Sequence, residues 1–414
     1  MSVELWWLWA LVSAGKFLEG LIVFMGGVTL PLVQRDFPLA TPGLLTAAPL
    51  AGILIGAPLL GDLADRWGRR PVFIAEMAAL ALALLGAALS PSAPWLIGCL
   101  LLIGLALGAD YPMGHLMLSE RVSGAQQAPL VLSAFGFQAI GALGGSLLGL
   151  LATDALEPSQ GLNWRLLYVA PLLPTALLVW GRLQVSESPA WEHRADPFDP
   201  VAGPPGDLAD VRHPTLLASL PWFLQDLATY GVGVFLPLLL LEGTHAGKGA
   251  RVLPVLVDVL FVAGIAAATV LCSRIGTIRL QMGGFCGCAA GLALAAWGAG
   301  PMEGHPVAIA AGLGLFLFMT NLGPNATTYL LAGNLFPVEN RGRGAGTAAA
   351  VGKGGAVLTA FLLPSLLERW GSALTLVALA LTSLLGALLT WGLAARPDEG
   401  WFTAHHDPQH ANEK

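Results

Sequence analysis

Charged side chains within apolar stretches are the residues of this sequence best suited to chemistry. They are Lys16, Glu19, Glu76, Asp110, Asp226, Asp258 and Lys353. Burying an ionisable group in apolar surroundings costs free energy, so each of these residues is a candidate for binding a charged solute or a proton. Lys16 and Glu19 are three residues apart on one predicted helix, a spacing that also allows a purely structural ion pair.

A second pattern places aromatic rings around one of these acids. Trp222, Asp226 and Tyr230 follow each other at intervals of four residues, which puts all three on one face of a helix. An aromatic, acidic and aromatic stripe suits a polar ligand better than lipid. The alternative is that the rings are interfacial or packing aromatics.

The composition indicates what must position these residues. The chain has 414 residues, is 55% hydrophobic and has a mean hydropathy of +0.71. Only 11% of its residues are charged, against about 25% in soluble domains. The net charge of −6 argues against a nucleic-acid partner. These values predict an all-α membrane protein whose helices cross a lipid bilayer.

Apolar stretches of about 20 residues, the length that spans a bilayer, predict twelve transmembrane helices. Their approximate spans are 6–33, 43–61, 71–90, 94–118, 128–152, 164–183, 218–241, 252–273, 279–298, 305–331, 345–366 and 371–395. Glycines in the fifth and eleventh helices, such as Gly141 and Gly346, predict close helix contacts.

A polar, proline-rich stretch divides the chain into two pseudo-symmetric six-helix bundles. The predicted units are an N-terminal bundle over 1–183, a linker over 184–217, a C-terminal bundle over 218–395 and a tail over 396–414. The distribution of Lys and Arg places both termini and the linker in the cytoplasm, and the protein in the inner or plasma membrane. Arg66-x-Gly68 recurs as Arg274-x-Gly276 after the eighth helix, and related halves of this kind indicate a rocker-type secondary transporter.

Loop motifs then suggest a family. They are Gly61-x-Leu63-x-Asp65-Arg66-x-Gly68-Arg69-Arg70, Ser186-Glu187-Ser188-Pro189-x-Trp191 and Pro337-x-Glu339-x-Arg341. They resemble the major facilitator superfamily, on its sugar-porter and metabolite:proton symporter side. Four helix motifs resemble its phosphate:proton symporter branch, namely Gly108-x-Asp110-Tyr111-Pro112, Trp222-x-x-x-Asp226-x-x-x-Tyr230, Asn321-x-x-Pro324-Asn325 and Gly352-Lys353-Gly354.

The resemblance implies three sets of functional residues. The substrate-binding set is Tyr111, Gln138, Trp222, Asp226, Tyr230, Asn321, Asn325 and Lys353. The proton-coupling set is Glu19, Glu76, Asp110 and Asp226. The cytoplasmic gate is Asp65, Arg66, Arg69, Arg70, Glu120, Arg121, Glu339 and Arg341.

The chemistry of the substrate set suits an oxyanion, because Lys353 supplies charge and the amide, indole and phenol groups supply hydrogen-bond donors. Asp226 repels an anion unless it is protonated, so a proton there would couple the two solutes. We therefore expect a proton-coupled symporter of phosphate or a similar anion. A symporter of sugars or of aromatic or organic acids is the alternative, and a non-transporting sensor is a third possibility. We expect no enzymatic activity, cofactor or metal, and a monomer.

Overall fold

The computed structural model describes residues 2–38, 42–122, 124–154, 164–193, 208–244, 253–300, 305–336 and 340–394. Across these ranges the chain is helical apart from short turns and connections, and it contains no strand. The all-α prediction is confirmed for this part of the chain. The tail over 396–414 and the gate residue Glu339 lie outside the described residues.

Among the described residues, nine α-helices precede the middle of the predicted linker. They are α1 (Val3–Asp36), α2 (Pro42–Trp67), α3 (Arg69–Ala88), α4 (Ala93–Ser119), α5 (Gln127–Phe135), α6 (Phe137–Asp154), α7 (Arg165–Val169), α8 (Leu172–Arg182) and α9 (Pro189–Glu192). Six follow it: α10 (Leu208–Thr244), α11 (Leu253–Ile275), α12 (Thr277–Gly298), α13 (Pro306–Leu322), α14 (Pro324–Asn334) and α15 (Arg341–Ala394).

Three helices that the sequence predicts as single segments are interrupted. The fifth divides at Gly136, between α5 and α6, and the sixth divides before α8, where Pro171 is the N-cap. The tenth divides at Gly323, directly before Pro324. Proline has no N–H and clashes with the preceding turn, so it breaks or bends a helix that hydropathy alone presents as continuous.

The last two predicted helices instead run together as α15, which is 54 residues long. Gly371 joins its two parts with φ 72° and ψ 172°, a backbone conformation that favours glycine. In chain order, the helices other than α9, which lies in the predicted linker, follow the twelve predicted spans once the interrupted helices are joined and α15 is divided at Gly371. Within the described residues, eight helices are long and apolar enough to cross a membrane, and α15 counts as one of them.

The helix α10 also begins earlier than predicted, at Leu208 inside the predicted linker. A helix satisfies its own backbone hydrogen bonds and can therefore continue beyond the hydrocarbon layer. Hydropathy detects only its apolar part, which is why the predicted start lies at residue 218.

Helix packing brings the two predicted bundles together along two seams, where α2 packs against α15 and where α11 packs against α5 and α6. Glycine permits the first of these contacts. A Cβ atom added at Gly346 would lie 2.2 Å from the carbonyl oxygen of Ala57 on α2. Within the N-terminal part, a Cβ at Gly141 would lie 2.0 Å from the carbonyl oxygen of Phe17. The predicted role of these glycines in close packing is confirmed.

We expect Gly346→Ala to lower the free energy of unfolding by about 1–3 kcal/mol, because the new methyl group meets backbone atoms that cannot rotate away. Thermal unfolding of the purified protein measures this. Gly392→Ala on the same helix is the control, since no atom lies within 4 Å of the added Cβ. Equal unfolding temperatures for the two variants would contradict the packing account.

Candidate functional site

Lys353 on α15 is buried and forms an ion pair with α10. Its Nζ lies 2.7 Å from Oδ2 of Asp226 and donates to the Tyr230 hydroxyl at 2.8 Å. All three side chains are buried. The predicted face of α10 is therefore directed toward Lys353. Asp226 is its counter-ion, a partner that the sequence did not identify.

Tyr111 on α4 contacts Lys353 on one predicted bundle and Lys16 on the other. The Nζ atoms of Lys353 and Lys16 lie 4.7 and 4.3 Å from its ring centroid, within the range of cation–π attraction. The ring of Trp222 lies 5.9 Å away, centroid to centroid. Trp222 reaches this position because Gly352 has no side chain, and a Cβ there would lie 2.7 Å from the indole ring.

A second buried cluster surrounds Lys16 on α1. Its Nζ lies 3.0 Å from Oε2 of Glu19 and 3.0 Å from Oδ2 of Asp110. Gln138 on α6 donates to Oε1 of Glu19 at 2.7 Å and to the Tyr111 hydroxyl at 3.2 Å. The predicted pairing of Lys16 with Glu19 is present. It belongs to a network that includes residues of both the predicted substrate set and the predicted proton set.

The sequence analysis missed Arg182, the last residue of α8. Its guanidinium is buried, pairs with Glu76 on α3 and lies 3.1 Å from Oδ1 of Asp110. It also covers the ring of Phe73 at 3.6 Å. Arg182 therefore joins the acids of α3 and α4 that the resemblance assigns to proton coupling. Its place beside the polar linker made it look like a residue at the membrane surface.

The two predicted asparagines lie on α13 and α14, on either side of the break at Gly323. Asn325 donates to Oδ1 of Asn321 at 2.5 Å, and Asn321 donates to the carbonyl oxygen of Phe261 on α11 at 2.7 Å. These bonds tie the interrupted helix to α11. The amide of Asn321 is thus engaged in packing, and Asn325 is the more exposed of the two.

The predicted gate residues form a network where α2, α3, α4 and α15 meet. Asp65 pairs with Arg69 and accepts hydrogen bonds from the backbone N–H groups of Gly342 and Arg343, at 3.1 and 2.7 Å. Glu120 lies 3.5 Å from Arg69 and 3.8 Å from Arg341. This network therefore links the two predicted bundles.

Three other predicted gate arginines bond within the N-terminal part. Arg66 is exposed and pairs with Asp62 on its own helix at 2.8 Å, while Arg70 donates to the carbonyl oxygen of Leu183 at 2.9 Å. Arg121 donates to the carbonyl oxygens of Met117, Ser186 and Glu187. Burial lowers the pKa of the Arg121 guanidinium, and the nearby Glu187 and Glu120 oppose that change.

Glu187 and Ser188 belong to a motif that the sequence identified, but neither had been assigned a role. The Glu187 carboxylate accepts from the backbone N–H groups of Arg69 and Arg70, at 3.0 and 3.1 Å, and so caps α3. Gly68, the N-cap of α3, has φ 112°, and a Cβ there would lie 2.4 Å from Oε2 of Glu187. Ser188 donates to Glu120 at 2.5 Å.

The described residues contain no group of three or more His, Cys, Asp or Glu side chains placed to hold a metal ion. The side chains that the site brings together form ion pairs and hydrogen bonds. Buried ammonium groups, phenols and an indole ring are groups that can bind a small polar solute.

We expect Arg182→Met to lower the free energy of unfolding by about 3–5 kcal/mol, because it leaves two buried carboxylates without their shared cation. Arg66→Met is the control, since its pair with Asp62 is exposed and such pairs contribute at most about 1 kcal/mol. Thermal unfolding of the purified variants measures both effects. Similar losses for Arg182→Met and Arg66→Met would contradict the network.

We expect Glu187→Ala to speed hydrogen exchange at the amides of Arg69 and Arg70 about fivefold, because loss of a helix cap costs about 1 kcal/mol. Exchange measured by mass spectrometry tests this. Glu192→Ala, at an exposed side chain of α9, should leave the same amides unchanged. Unaltered exchange in Glu187→Ala would show that the carboxylate does not cap α3.

Comparison with known proteins identifies the family. The Major Facilitator Superfamily description matches residues 12–330. The inner membrane metabolite transport protein YgcS of Escherichia coli (strain K12) is 27% identical over 373 residues, covering 84% of this chain and 81% of that protein. The low affinity inorganic phosphate transporter 8 of Medicago truncatula is 24% identical over 440 residues, covering 84% and 78%. The gentisate transporter of Corynebacterium glutamicum is 28% identical over 377 residues, covering 86% and 81%.

A solved structure shares the fold. The proton:xylose symporter XylE bound to 6-bromo-6-deoxy-D-glucose superposes with a TM-score of 0.80 at 15% identity, covering 94% of this chain and 95% of that one. This likeness concerns the fold alone. The family match spans most of the sequence, and the fold agrees over nearly all of it. This chain therefore belongs to the Major Facilitator Superfamily of membrane transporters.

Proposed function

We propose that this transporter is a proton-coupled symporter of a small anion, with inorganic phosphate as the first choice. The observation that carries the proposal is the buried ion pair between Lys353 and Asp226, whose nitrogen and oxygen lie 2.7 Å apart. The names of relatives, among them a phosphate transporter at 24% identity, support the choice of substrate.

Proton coupling follows from competition for Lys353. An arriving anion and the Asp226 carboxylate both need the same ammonium group, and two anions beside one buried cation are strongly disfavoured. A proton on Asp226 removes its charge and converts repulsion into a hydrogen bond. Anion and proton then bind together and leave together. Tyr230 and Trp222, on the same face of α10, add an O–H and an N–H donor.

Alternating access requires that one side of the carrier open while the other stays closed. The cytoplasmic network supplies bonds that can break in this cycle, because Asp65 on α2 accepts from the backbone of α15 and Glu120, the C-cap of α4, faces Arg341. Substrate binding between the bundles would have to offset the loss of these bonds. We place both termini and the linker in the cytoplasm, the protein in the inner or plasma membrane, and one chain in each transport unit.

An aromatic or organic acid is the second candidate substrate. Tyr111 and Trp222 lie beside Lys353, and a ring carrying a carboxylate could use both kinds of group. The gentisate transporter among the relatives supports this alternative. A neutral sugar carries no charge for Lys353 to neutralise, so it is the third candidate substrate. A sensor that binds without transport would show binding and no flux.

Uptake of labelled phosphate into proteoliposomes tests the proposal. An inward proton gradient should stimulate uptake by the wild-type protein, and Asp226→Asn should abolish the stimulation because it removes the proton-binding carboxylate. Glu368→Gln, at an exposed side chain of α15, is the control and should behave as wild type.

Two outcomes would contradict the proposal: no phosphate uptake by the folded wild-type protein, or undiminished gradient stimulation in Asp226→Asn. Excess unlabelled gentisate and xylose, added in parallel, identify the alternative substrates. Strong competition by gentisate, with labelled gentisate itself taken up, would replace phosphate with an aromatic acid.

A further inference from the structure

Lys16 is a buried cation for which the proposed function has no use. We propose that Lys16 is a second anion-binding ammonium of the same site, acting with Lys353 from the opposite bundle. This inference rests on the proposed function and narrows it to an anion that accepts hydrogen bonds at two oxygens. It assigns to Lys16 a role in selecting the charge of the substrate.

The geometry brings the two ammonium groups to one place. Both Nζ atoms lie over the ring of Tyr111, at 4.3 and 4.7 Å from its centroid, so they are no more than 9.0 Å apart. Two charge-assisted hydrogen bonds of about 2.8 Å, together with the width of one oxyanion, span roughly 8 Å. A separation of 9.0 Å or less is therefore within the reach of a small oxyanion once the side chains, the Tyr111 ring among them, adjust to admit it.

The partners of Lys16 connect it with the substrate residues. Arg182 already pairs with Glu76 and Asp110, which leaves Glu19 as the carboxylate most specific to Lys16. Gln138 bonds both Glu19 and the hydroxyl of Tyr111. A pair with a purely structural role would have no need of this connection to the substrate-binding ring.

The charges explain how an anion could enter. Around the proposed site, the buried cations are Lys16, Arg182 and Lys353, and the buried carboxylates are those of Glu19, Glu76, Asp110 and Asp226. With every group ionised, this set carries a formal charge of −1, so an additional anion is unfavourable unless it replaces carboxylates as the counter-ion. On binding, the oxyanion takes the place of Glu19 on Lys16 and of Asp226 on Lys353. Each displaced carboxylate binds a proton from the aqueous side that is open at that moment.

Other titratable groups surround Lys16 and share its field. Besides Glu19 on its own helix, those facing it are Asp110, Tyr111 and His115 on α4 and Tyr329 on α14, with Arg182 on α8 and Glu76 on α3 behind Asp110. Asp110 has two cationic partners, Lys16 and Arg182. The Glu19 carboxylate has one cationic partner, Lys16, and accepts a hydrogen bond from the Gln138 amide. Glu19 is therefore the easier of the two to displace.

Phosphate binding to purified variants tests the role of Lys16. We expect Lys16→Met to weaken binding about 30-fold or more, because removing one partner of a buried, hydrogen-bonded charge contact has an effect of this size. Lys16→Arg, which keeps the charge, should retain more affinity than Lys16→Met. Proton uptake on phosphate addition, followed in weakly buffered solution, should fall in Lys16→Met relative to wild type.

A double variant separates this role from a structural one. Lys16→Met combined with Glu19→Gln removes both charges of the pair, so it should fold even where Lys16→Met alone does not. We expect the double variant to bind phosphate as weakly as the single variant. Wild-type affinity in the double variant would overturn the inference while leaving the proposed function intact. Failure of the wild-type protein to bind either phosphate or gentisate would overturn both.

Discussion

Within the described residues, the buried cations Lys16, Arg182 and Lys353 lie among the membrane helices with the carboxylates of Glu19, Glu76, Asp110 and Asp226, where bulk water cannot solvate them. Asp65 and Arg69 form a further buried pair in the proposed gate. Each ion in such a place needs an opposite charge and satisfied hydrogen bonds. Arg182 is the counter-ion of acids on α3 and α4, and Lys16 on α1 pairs with an acid on α4. Lys353 on α15 pairs with an acid on α10. These ion pairs determine which helices adjoin one another, and small residues such as Gly15 and Gly352 leave room for the large side chains beside them.

In the proposed function, the same pairs make the interior responsive to a solute. Tyr111 is contacted by Lys16 through its ring, by Lys353 through its ring and by Gln138 through its hydroxyl. A change of counter-ion on either lysine therefore alters the surroundings of one residue at the boundary between the bundles. At the C-terminal end of α4, the C-cap residue Glu120 joins the network that links α2, α3 and α15. The helix α4 thus connects the proposed site with the proposed gate.

Local patterns predicted the parts of this arrangement that one helix determines. The spacing of Asp226 and Tyr230 placed both on one face, and the three-residue interval between Lys16 and Glu19 allowed their pair. Identifying Asp226 as the partner of Lys353 required knowing that α10 packs against α15, which no local pattern records. Arg182 was missed for a related reason: hydropathy put it at a helix end, and its burial depends on the packing of α1, α3 and α4 around it.

Helix boundaries show the same limit. Hydropathy located the apolar spans but not the interruptions at Gly136 and Gly323, since a single glycine within an apolar run barely changes its hydropathy. The loop motifs carried the family resemblance, and the structure assigns contacts to members without a stated role, such as Glu187 capping α3. Substrate identity depends on small differences among buried polar groups, which neither periodicity nor fold determines.

The response of transport to membrane voltage tests the central claim, that an anion moves together with at least one proton. Initial phosphate uptake into proteoliposomes would be measured under an inside-negative potassium diffusion potential with no pH gradient, at an acidic pH at which phosphate is monovalent. A monovalent anion carried alone is opposed by that potential, because each elementary charge contributes about 2.3 kcal/mol per 100 mV. The account predicts uptake that is unchanged or faster than in vesicles without the potential. Uptake slowed by the inside-negative potential would contradict it.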